Sequence, residues 1–261
     1  MAIAAFFDLD KTIIARSSSL AFTKPFQAGG LISRGTMLRS AYAQFVFVVG
    51  GADADQMEKM RAFMSQLVAG WDVATVREIV ADTLHNIVDP IVYDEAVELI
   101  EEHRLAGHDV VIVSASGSDV VEPIAQMLGA DHWIASHLAI EDGKYTGEID
   151  YYAYAEEKAL AIRELAAERG YDLAECYAYS DSSTDRYMLE VVGHPFAVNP
   201  DKELRRLAAE HDWPVLTFVR PVGLQSRRLP PVRPTLTALA VGGALATGAV
   251  LWQQARRRAQ A

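Results

Sequence analysis

An apolar run that ends in two closely spaced aspartates, IAAFFDLDKT at residues 3–12, constrains this chain more than any other feature. Side chains alternate along a strand, so Asp8 and Asp10 project to the same side at its carboxyl end. In an open α/β sheet, ligands bind at that end. Two carboxylates this close repel each other unless a cation or a shared proton lies between them. The pair predicts a site for Mg²⁺ and a covalent reaction step, although an ordinary strand that runs into an acidic turn would give the same letters.

Three later segments also place polar side chains where a strand ends or a helix begins. They carry Ser114 within residues 106–129, Lys158 within 154–170, and Asp181 with Asp185 within 175–189. A hydroxyl and backbone amides at a helix N-terminus can donate to a phosphoryl oxygen, and carboxylates can hold a metal ion. Each residue also has an ordinary explanation, because serine and aspartate often cap helices and lysine is usually solvated. Four such segments in one order favour a site for a phosphoryl group.

These segments resemble the motifs of the haloacid dehalogenase-like hydrolase superfamily, and within it subfamily IB, which contains the phosphoserine phosphatases. The matching stretches are DLDKT at residues 8–12, VIVSAS at 111–116, YAEEKALAI at 154–162, and YSDSSTDRYML at 179–189 followed by VGHPFAVNPD at 192–201. The resemblance extends from about residue 3 to residue 218. It implies an α/β fold, a Rossmann-like parallel sheet flanked by helices, with an all-helical cap inserted after the first strand.

The resemblance also implies a mechanism for the hydrolysis of phosphomonoesters. Asp8 would be the nucleophile that becomes an aspartyl phosphate, and Asp10 would be the general acid and base. The remaining implied roles are Mg²⁺ binding by the Asp8 carboxylate, the Asp10 backbone carbonyl and Asp181, support of that site by Asp185, and phosphate binding by Thr12, Ser114 and Lys158. The expected enzyme is therefore a Mg²⁺-dependent phosphatase that acts on a small phosphorylated metabolite.

Two departures from the motifs of phosphoserine phosphatases concern the choice of substrate. Ser17 stands where those enzymes have a glutamate that receives the substrate's ammonium group, and Thr184 replaces an asparagine of the fourth motif. Without the carboxylate, an amino acid substrate loses a charged partner. Ser17 and Arg39 are the candidates for selecting the substrate. Phosphoserine phosphatase activity stays one alternative, and a non-catalytic or regulatory membrane protein that binds a phosphorylated ligand stays another.

Composition and the positions of glycine and proline residues divide the chain into segments. The expected parts are a catalytic core at residues 1–16 and 90–218, a helical cap at 17–89, a Pro/Arg-rich linker at 219–234, a hydrophobic helix at 235–252 and a basic tail at 253–261. Within the cap, glycines separate helices predicted near 18–29, 34–49, 53–69 and 72–87. Alternating apolar residues around Asp142 and Gly143 predict a strand pair within residues 132–150.

The charge of the chain is divided unevenly between its two ends. Residues 213–261 contain seven arginines and no acidic residue, so they carry a formal charge of +7. The whole chain carries −11, which leaves −18 on residues 1–212. An acidic globular part argues against a nucleic-acid partner. Residues 235–252 contain no charged side chain over 18 positions, which is near the lower length limit of a membrane-spanning helix. We therefore predict a transmembrane helix here, and a helix docked on the domain is the alternative.

Two further features concern the compartment. The chain has a single cysteine, Cys176, which excludes an internal disulfide and favours a reducing environment. The sequence enters its first strand directly, without the basic flank and apolar segment of a signal peptide. These features predict a cytoplasmic catalytic domain anchored to the membrane at its C-terminus, with a soluble cytoplasmic enzyme as the alternative.

Overall fold

The computed structural model describes residues 2–32 and 65–221, and its centre is a seven-stranded sheet in the order β4-β3-β2-β1-β5-β6-β7. The strands are β1 (Ala4–Asp8), β2 (Asp109–Gly117), β3 (His132–Glu141), β4 (Lys144–Tyr151), β5 (Tyr177–Ser180), β6 (His194–Val198) and β7 (Val215–Leu216). Neighbouring strands are parallel except β3 and β4, which are antiparallel. The predicted α/β fold is confirmed, and the sheet predicted to be parallel is mostly so, with one antiparallel pair.

Helices cover both faces of this sheet. They are α1 (Ser18–Ala21), α2 (Thr23–Ala28), α3 (Val73–Val88), α4 (Asp94–Leu105), α5 (Ser118–Leu128), α6 (Glu156–Arg169), α7 (Arg186–Glu190) and α8 (Lys202–Glu210). Phe7 belongs to the apolar cluster that includes α3, α4 and α5, whereas Phe6 belongs to the cluster that includes α6, α7 and α8. A parallel sheet that is buried on both faces needs strands that are apolar throughout, and this explains the uninterrupted run of β1.

The three strands that carry most of the predicted site residues are neighbours in the sheet. Strand β1 lies between β2 and β5, with Asp8 opposite Val113 on one side and Phe7 opposite Tyr179 on the other. Because the three strands are parallel, their carboxyl ends meet at one edge of the sheet. The chain passes from β1 to β2 on one side and from β5 to β6 on the other, so the connections diverge at this point, which is where open α/β sheets form a ligand crevice.

Several local predictions can be compared with the structure. The predicted strand pair is β3 and β4, and Asp142 (φ 49°) and Gly143 (φ 75°) form the left-handed turn between them. Helix α3 starts where expected, because the Asp72 carboxylate accepts a hydrogen bond from the Thr75 N–H at 2.8 Å. The helix predicted near residues 18–29 is instead two short helices, α1 and α2, which meet at Phe22. The helix predicted near 34–49 and most of the one near 53–69 lie outside the described residues.

The two chain segments that lead from the sheet into the helices after β1, and back, run side by side. The Ala15 N–H donates to the Ile91 carbonyl at 2.7 Å, and the Tyr93 N–H donates to the Ile13 carbonyl at 2.9 Å. Helices α1, α2 and α3 therefore leave and rejoin the sheet at one place. This arrangement suits an inserted unit, and the boundaries of the cap at residues 17–89 stay a prediction.

The last described residues pack against the start of α4. The buried Glu95 carboxylate accepts hydrogen bonds from the Val219 and Arg220 N–H groups and from the Arg220 side chain, each at 3.3 Å. Among residues 2–32 and 65–221, no helix has the length and apolar character needed to cross a membrane. The predicted transmembrane segment at 235–252 lies beyond these ranges, together with the basic tail at 253–261.

Candidate active site

The centre of the site is an ion pair at the end of β1. Asp8 is the last residue of that strand, and its Oδ1 lies 2.7 Å from the Lys158 Nζ. Lys158 comes from the first turn of α6, and its side chain is only 3% exposed. The usual solvated position of a helix lysine does not apply here, because the side chain is turned into the sheet edge.

Lys158 joins a second carboxylate to the first. Its Nζ lies 2.9 Å from Asp185 Oδ2, and the Ser180 hydroxyl donates to the same oxygen at 2.7 Å. Ser180 is the last residue of β5, and its Oγ accepts a hydrogen bond from the Ser182 N–H at 3.2 Å. The sequence analysis did not select Ser180, although a hydroxyl at a strand end beside Asp181 was a signal that could have identified it.

Asp181 follows β5 directly and is 9% exposed. Burial raises the pKa of this carboxyl to about 7, and the neighbouring Asp185 adds to the effect. The Asp181 carbonyl accepts a hydrogen bond from the Asp201 N–H at 2.8 Å. The Asp201 carboxylate in turn accepts from the Ser183 N–H at 2.8 Å and caps α8. Asp201, which the sequence analysis did not single out, therefore fixes the loop that carries the two motif aspartates.

Asp10 has a different environment from Asp8. Its Oδ1 accepts a hydrogen bond from the Ser18 N–H at 2.8 Å, and its Oδ2 accepts from the hydroxyls of Ser17 at 3.2 Å and Ser116 at 3.5 Å. Burial raises the pKa of Asp10, whereas the hydrogen bonds from Ser18 and Ser17 lower it. Ser17, expected to select the substrate, thus contacts the predicted acid and base directly.

The phosphate-binding candidates other than Lys158 lie beside these aspartates. Ser114 is buried near the end of β2, and its Oγ accepts a hydrogen bond from the Ser116 N–H at 3.2 Å. Thr12 is fully buried, and its hydroxyl has no hydrogen-bond partner within the described part of the chain. The residue before α5 is Gly117, so neither Ser116 nor Ser118 caps that helix with its side chain. Arg39 lies outside the described residues.

The buried charges of the site do not balance. Asp8, Asp181 and Asp185 are buried carboxylates, and Lys158 is a buried ammonium, so three formal negative charges face one positive charge. Burial raises the pKa of Asp8 well above its ordinary value, and the other two carboxylates add to this against the opposing effect of Lys158. Burial alone would lower the pKa of Lys158, but Asp185 and Asp8 outweigh it and raise the pKa, so the ammonium stays protonated.

A divalent cation would remove this imbalance. Carboxylate and carbonyl oxygens are the ligands that Mg²⁺ prefers, and the donors implied by the resemblance are all of this kind. In the ranges that the structure describes, no group of three or more His, Cys, Asp or Glu side chains is arranged to hold a metal ion. The implied set does not require one, because only Asp8 and Asp181 contribute side chains and Asp10 contributes its backbone carbonyl. The residues present therefore fit Mg²⁺.

Curated relatives match nearly the whole chain. A Streptomyces azureus protein named "Inhibition of morphological differentiation protein" is 60% identical over 98% of this chain and 94% of its own length. "Probable phosphatase Rv3661" of Mycobacterium tuberculosis is 58% identical over 97% of this chain and 89% of its own length. "Phosphoserine phosphatase SerB1" of the same organism is 31% identical over 93% of this chain and 79% of its own length. These relatives include proteins named as phosphatases.

A solved structure is similar to this chain in fold, and a family model matches most of its sequence. A Bordetella pertussis protein described as having unknown function superimposes with a TM-score of 0.72 and 28% identity, covering 83% of this chain and 98% of that one. The model of the haloacid dehalogenase-like hydrolases matches residues 5–190, a range that begins in β1 and ends with α7. The chain belongs to the haloacid dehalogenase-like hydrolases, and its relatives include one protein named as a probable phosphatase and one named as a phosphoserine phosphatase.

Proposed function

We propose that the protein is a Mg²⁺-dependent phosphomonoester hydrolase that works through an aspartyl phosphate on Asp8, with a small phosphorylated metabolite as substrate. The observation that supports this most is the buried Asp8 and Lys158 pair at the end of the central strand, at 2.7 Å. A buried ion pair costs desolvation free energy that its mutual attraction often does not recover. The position of the pair at the edge where open α/β sheets bind ligands favours a catalytic role for it.

In the first half of the reaction, a carboxylate oxygen of Asp8 forms a bond to phosphorus while the bond to the leaving alcohol breaks. Asp10 gives its proton to that alcohol. In the second half, water attacks the phosphorus, Asp10 takes the proton from the water, and the Asp8 carboxylate is released with inorganic phosphate. The two aspartates suit these separate tasks, because Lys158 holds Asp8 and uncharged donors hold Asp10.

The other residues hold the phosphoryl group and the charge of the transition state. When bound to Asp8, Asp181 and the Asp10 carbonyl, Mg²⁺ would neutralise phosphoryl and carboxylate oxygens and orient them for an in-line transfer. Lys158 and Ser114 would donate to the phosphoryl oxygens, where preorganised donors contribute most to catalysis. Asp185 keeps Lys158 charged and in place through the 2.9 Å contact.

A phosphoserine phosphatase is the second candidate function, and similarity to the mycobacterial protein of that name supports it. The Ser17 hydroxyl, which donates to Asp10, carries no charge for a substrate ammonium group. We therefore favour a phosphomonoester without an amino acid headgroup. A non-catalytic role in binding a phosphorylated ligand is less well supported, because the candidate nucleophile, acid and base, and phosphate-binding lysine are all present.

The helical cap at residues 17–89 and the membrane anchor at 235–252 belong to the same proposal. The cap would close over the edge of the sheet and exclude water during transfer. The anchor rests on the uncharged composition of its 18 residues. Deletion of residues 230–261 should release the protein from the membrane pellet while kcat on a soluble ester stays the same. Full-length protein that stays soluble without detergent would contradict the anchor.

Turnover of p-nitrophenyl phosphate tests the proposed activity. The purified protein should be active with Mg²⁺, inactive after chelation with EDTA and active again when Mg²⁺ is restored. Ca²⁺ should not replace Mg²⁺, because its larger and looser coordination shell misplaces the phosphoryl group. Full activity after complete chelation would overturn the metal requirement. A panel of phosphorylated metabolites that includes phosphoserine then decides between the two substrate classes.

A further inference from the structure

Three serines contact the Asp10 side chain and a fourth contacts one of them, and the four come from two distant parts of the chain. We call Ser17, Ser18, Ser19 and Ser116 the serine cluster. The first three lie at the start of α1, and Ser116 lies near the end of β2. The Ser116 Oγ lies 2.8 Å from the Ser18 Oγ and 3.3 Å from the Ser19 Oγ. The cluster therefore joins the first turn of α1 to a strand 98 residues later.

Helix α1 depends on such contacts for its position. It has only four residues, and its N-cap residue, Ser17, makes no side-chain capping hydrogen bond. A helix this short is not stable on its own, because nucleation costs more than one turn of hydrogen bonds returns. Ser18 is fully buried, and its hydroxyl contact with Ser116 ties the turn to β2. The same turn supplies the N–H and the hydroxyl that hold the Asp10 carboxylate.

The contacts also suit a group that gives and then takes a proton. The Ser18 N–H can only donate, and it contacts Oδ1, whereas Oδ2 faces the hydroxyls of Ser17 and Ser116. A hydroxyl can donate or accept. The two serines can therefore stay in contact with Oδ2 in both halves of the reaction, and the carboxyl does not have to turn.

We propose that Ser116 is a positioning residue for Asp10. It anchors the first turn of α1 to β2, and that turn holds the Asp10 carboxyl in the orientation needed to protonate the leaving alcohol. This inference rests on the proposed function. It adds a residue that acts on the chemistry through Asp10 and Ser18 and does not itself touch the phosphoryl group.

Dependence on the leaving group distinguishes positioning of the acid from a merely structural role. p-Nitrophenolate is a good leaving group that needs little protonation, whereas phenolate is a poor one that depends on the acid. The constant to measure is kcat/KM, which reports transfer to Asp8 and not the later hydrolysis. For Ser116→Ala we expect kcat/KM to fall about tenfold or more on phenyl phosphate and less than about threefold on p-nitrophenyl phosphate. Mg²⁺ affinity measured by calorimetry should stay within about twofold, because the metal ligands are untouched.

Three further variants complete the test. Ser18→Ala removes the other hydroxyl of the same 2.8 Å contact and should show the same selective loss, so the test does not depend on one variant. Ser116→Thr keeps a hydroxyl and should restore activity on phenyl phosphate. Ser118→Ala, two residues further along, is the matched control and should behave like the wild type on both esters.

An equal loss on both esters in Ser116→Ala and Ser18→Ala would overturn the inference, as would wild-type behaviour in both. Asp10→Asn should show the largest selective loss and so calibrates the assay. If Asp8→Asn stays active, the proposed function fails as a whole. If Asp8→Asn is inactive and Asp10→Asn is selective but the serine variants are not, only the inference fails.

Discussion

Two groups of buried and partly buried ionisable side chains lie on the same sheet and are stabilised in opposite ways. The charged cluster at the carboxyl edge consists of Asp8, Asp181, Asp185 and Lys158. The neutral cluster, on the face of the sheet covered by α4, consists of His103, His108 and Tyr179. The His103 Nε2 lies 2.8 Å from the Tyr179 hydroxyl, and the Nδ1 atoms of the two histidines lie 2.9 Å apart.

The side chains of the neutral cluster form hydrogen bonds with one another while they are uncharged. One Nδ1 must donate to the other, so both rings cannot be protonated at once. Burial lowers the pKa of His103 to about 3. The charged cluster instead places three buried carboxyl groups around one ammonium, and each carboxylate that ionises there without a cation is costly. Burial of ionisable groups alone therefore does not mark a site. A site is indicated where burial leaves charge that a ligand must neutralise.

The largest expected effect separates chemistry from stability. Asp8→Asn should lower kcat by about 10³-fold or more, because the amide is not a nucleophile, while the protein stays folded. Tyr179→Phe should leave kcat within about twofold but lower the free energy of unfolding by about 1–3 kcal/mol, because the Nε2 of His103 loses its buried partner. Steady-state kinetics of both variants measure kcat, and urea denaturation measures the free energy of unfolding. Equal effects on activity would remove the distinction between the clusters.

Removal of the only cation of the charged cluster should be the most damaging change to its stability. Lys158→Met leaves Asp8 and Asp185 buried without their partner, which typically costs about 3 kcal/mol or more. Chemical denaturation of the metal-free protein measures the loss. Lys202→Met, on the exposed first turn of α8, is the matched control and should have little effect. Similar midpoints for the two variants would show that the charges are not buried as described.

The neutral cluster predicts a loss of stability in acid. The folded protein holds the pKa of His103 at about 3, against 6.5 when unfolded, so the unfolded chain binds the extra proton first. The stability contribution is present above pH 6.5 and falls as the pH drops towards 3. Between pH 7 and pH 5 the loss should be about 2 kcal/mol. His103→Phe should show a flatter pH profile of unfolding than His211→Phe, and an unchanged slope would contradict the neutral assignment.

The smallest expected effect concerns metal binding by the charged cluster. Burial raises the pKa of Asp181 from 3.8 to about 7, so below that pH a cation must displace a proton from the folded protein. Apparent Mg²⁺ affinity should therefore increase about tenfold between pH 6 and pH 8 through Asp181. Calorimetry in buffers of different ionisation enthalpy measures both the affinity and the protons released. An affinity independent of pH would show that Asp181 is already ionised without the metal.

The sequence predicted the parts of this picture that depend on local pattern. The apolar strands before Asp8 and Asp181 are recognisable as apolar runs in the sequence, and parallel strands bring their carboxyl ends together. The burial of Lys158 could not be predicted from periodicity, because a lysine near the start of a helix is usually solvated. The resemblance identified its role in phosphate binding instead.

The remaining features depend on contacts between residues far apart in the sequence. Ser116 meets Ser18 across 98 positions, and His103 meets Tyr179 across 76. No local spacing encodes such pairs, because they arise only when strands and helices pack. The break between α1 and α2 has a local cause instead, because Pro25 in the first turn of α2 lacks the N–H that a continuous helix would need at this position.

Trapping the covalent intermediate tests the central claim most directly. The wild-type protein is mixed with Mg²⁺ and p-nitrophenyl phosphate, quenched in acid during turnover, and reduced with borohydride, which converts an aspartyl phosphate into homoserine. Peptide mass spectrometry should then find homoserine at Asp8, and no such conversion in Asp8→Asn or without substrate. An active enzyme whose Asp8 is never converted, or whose conversion lies at Asp10 or Asp181, would contradict the account.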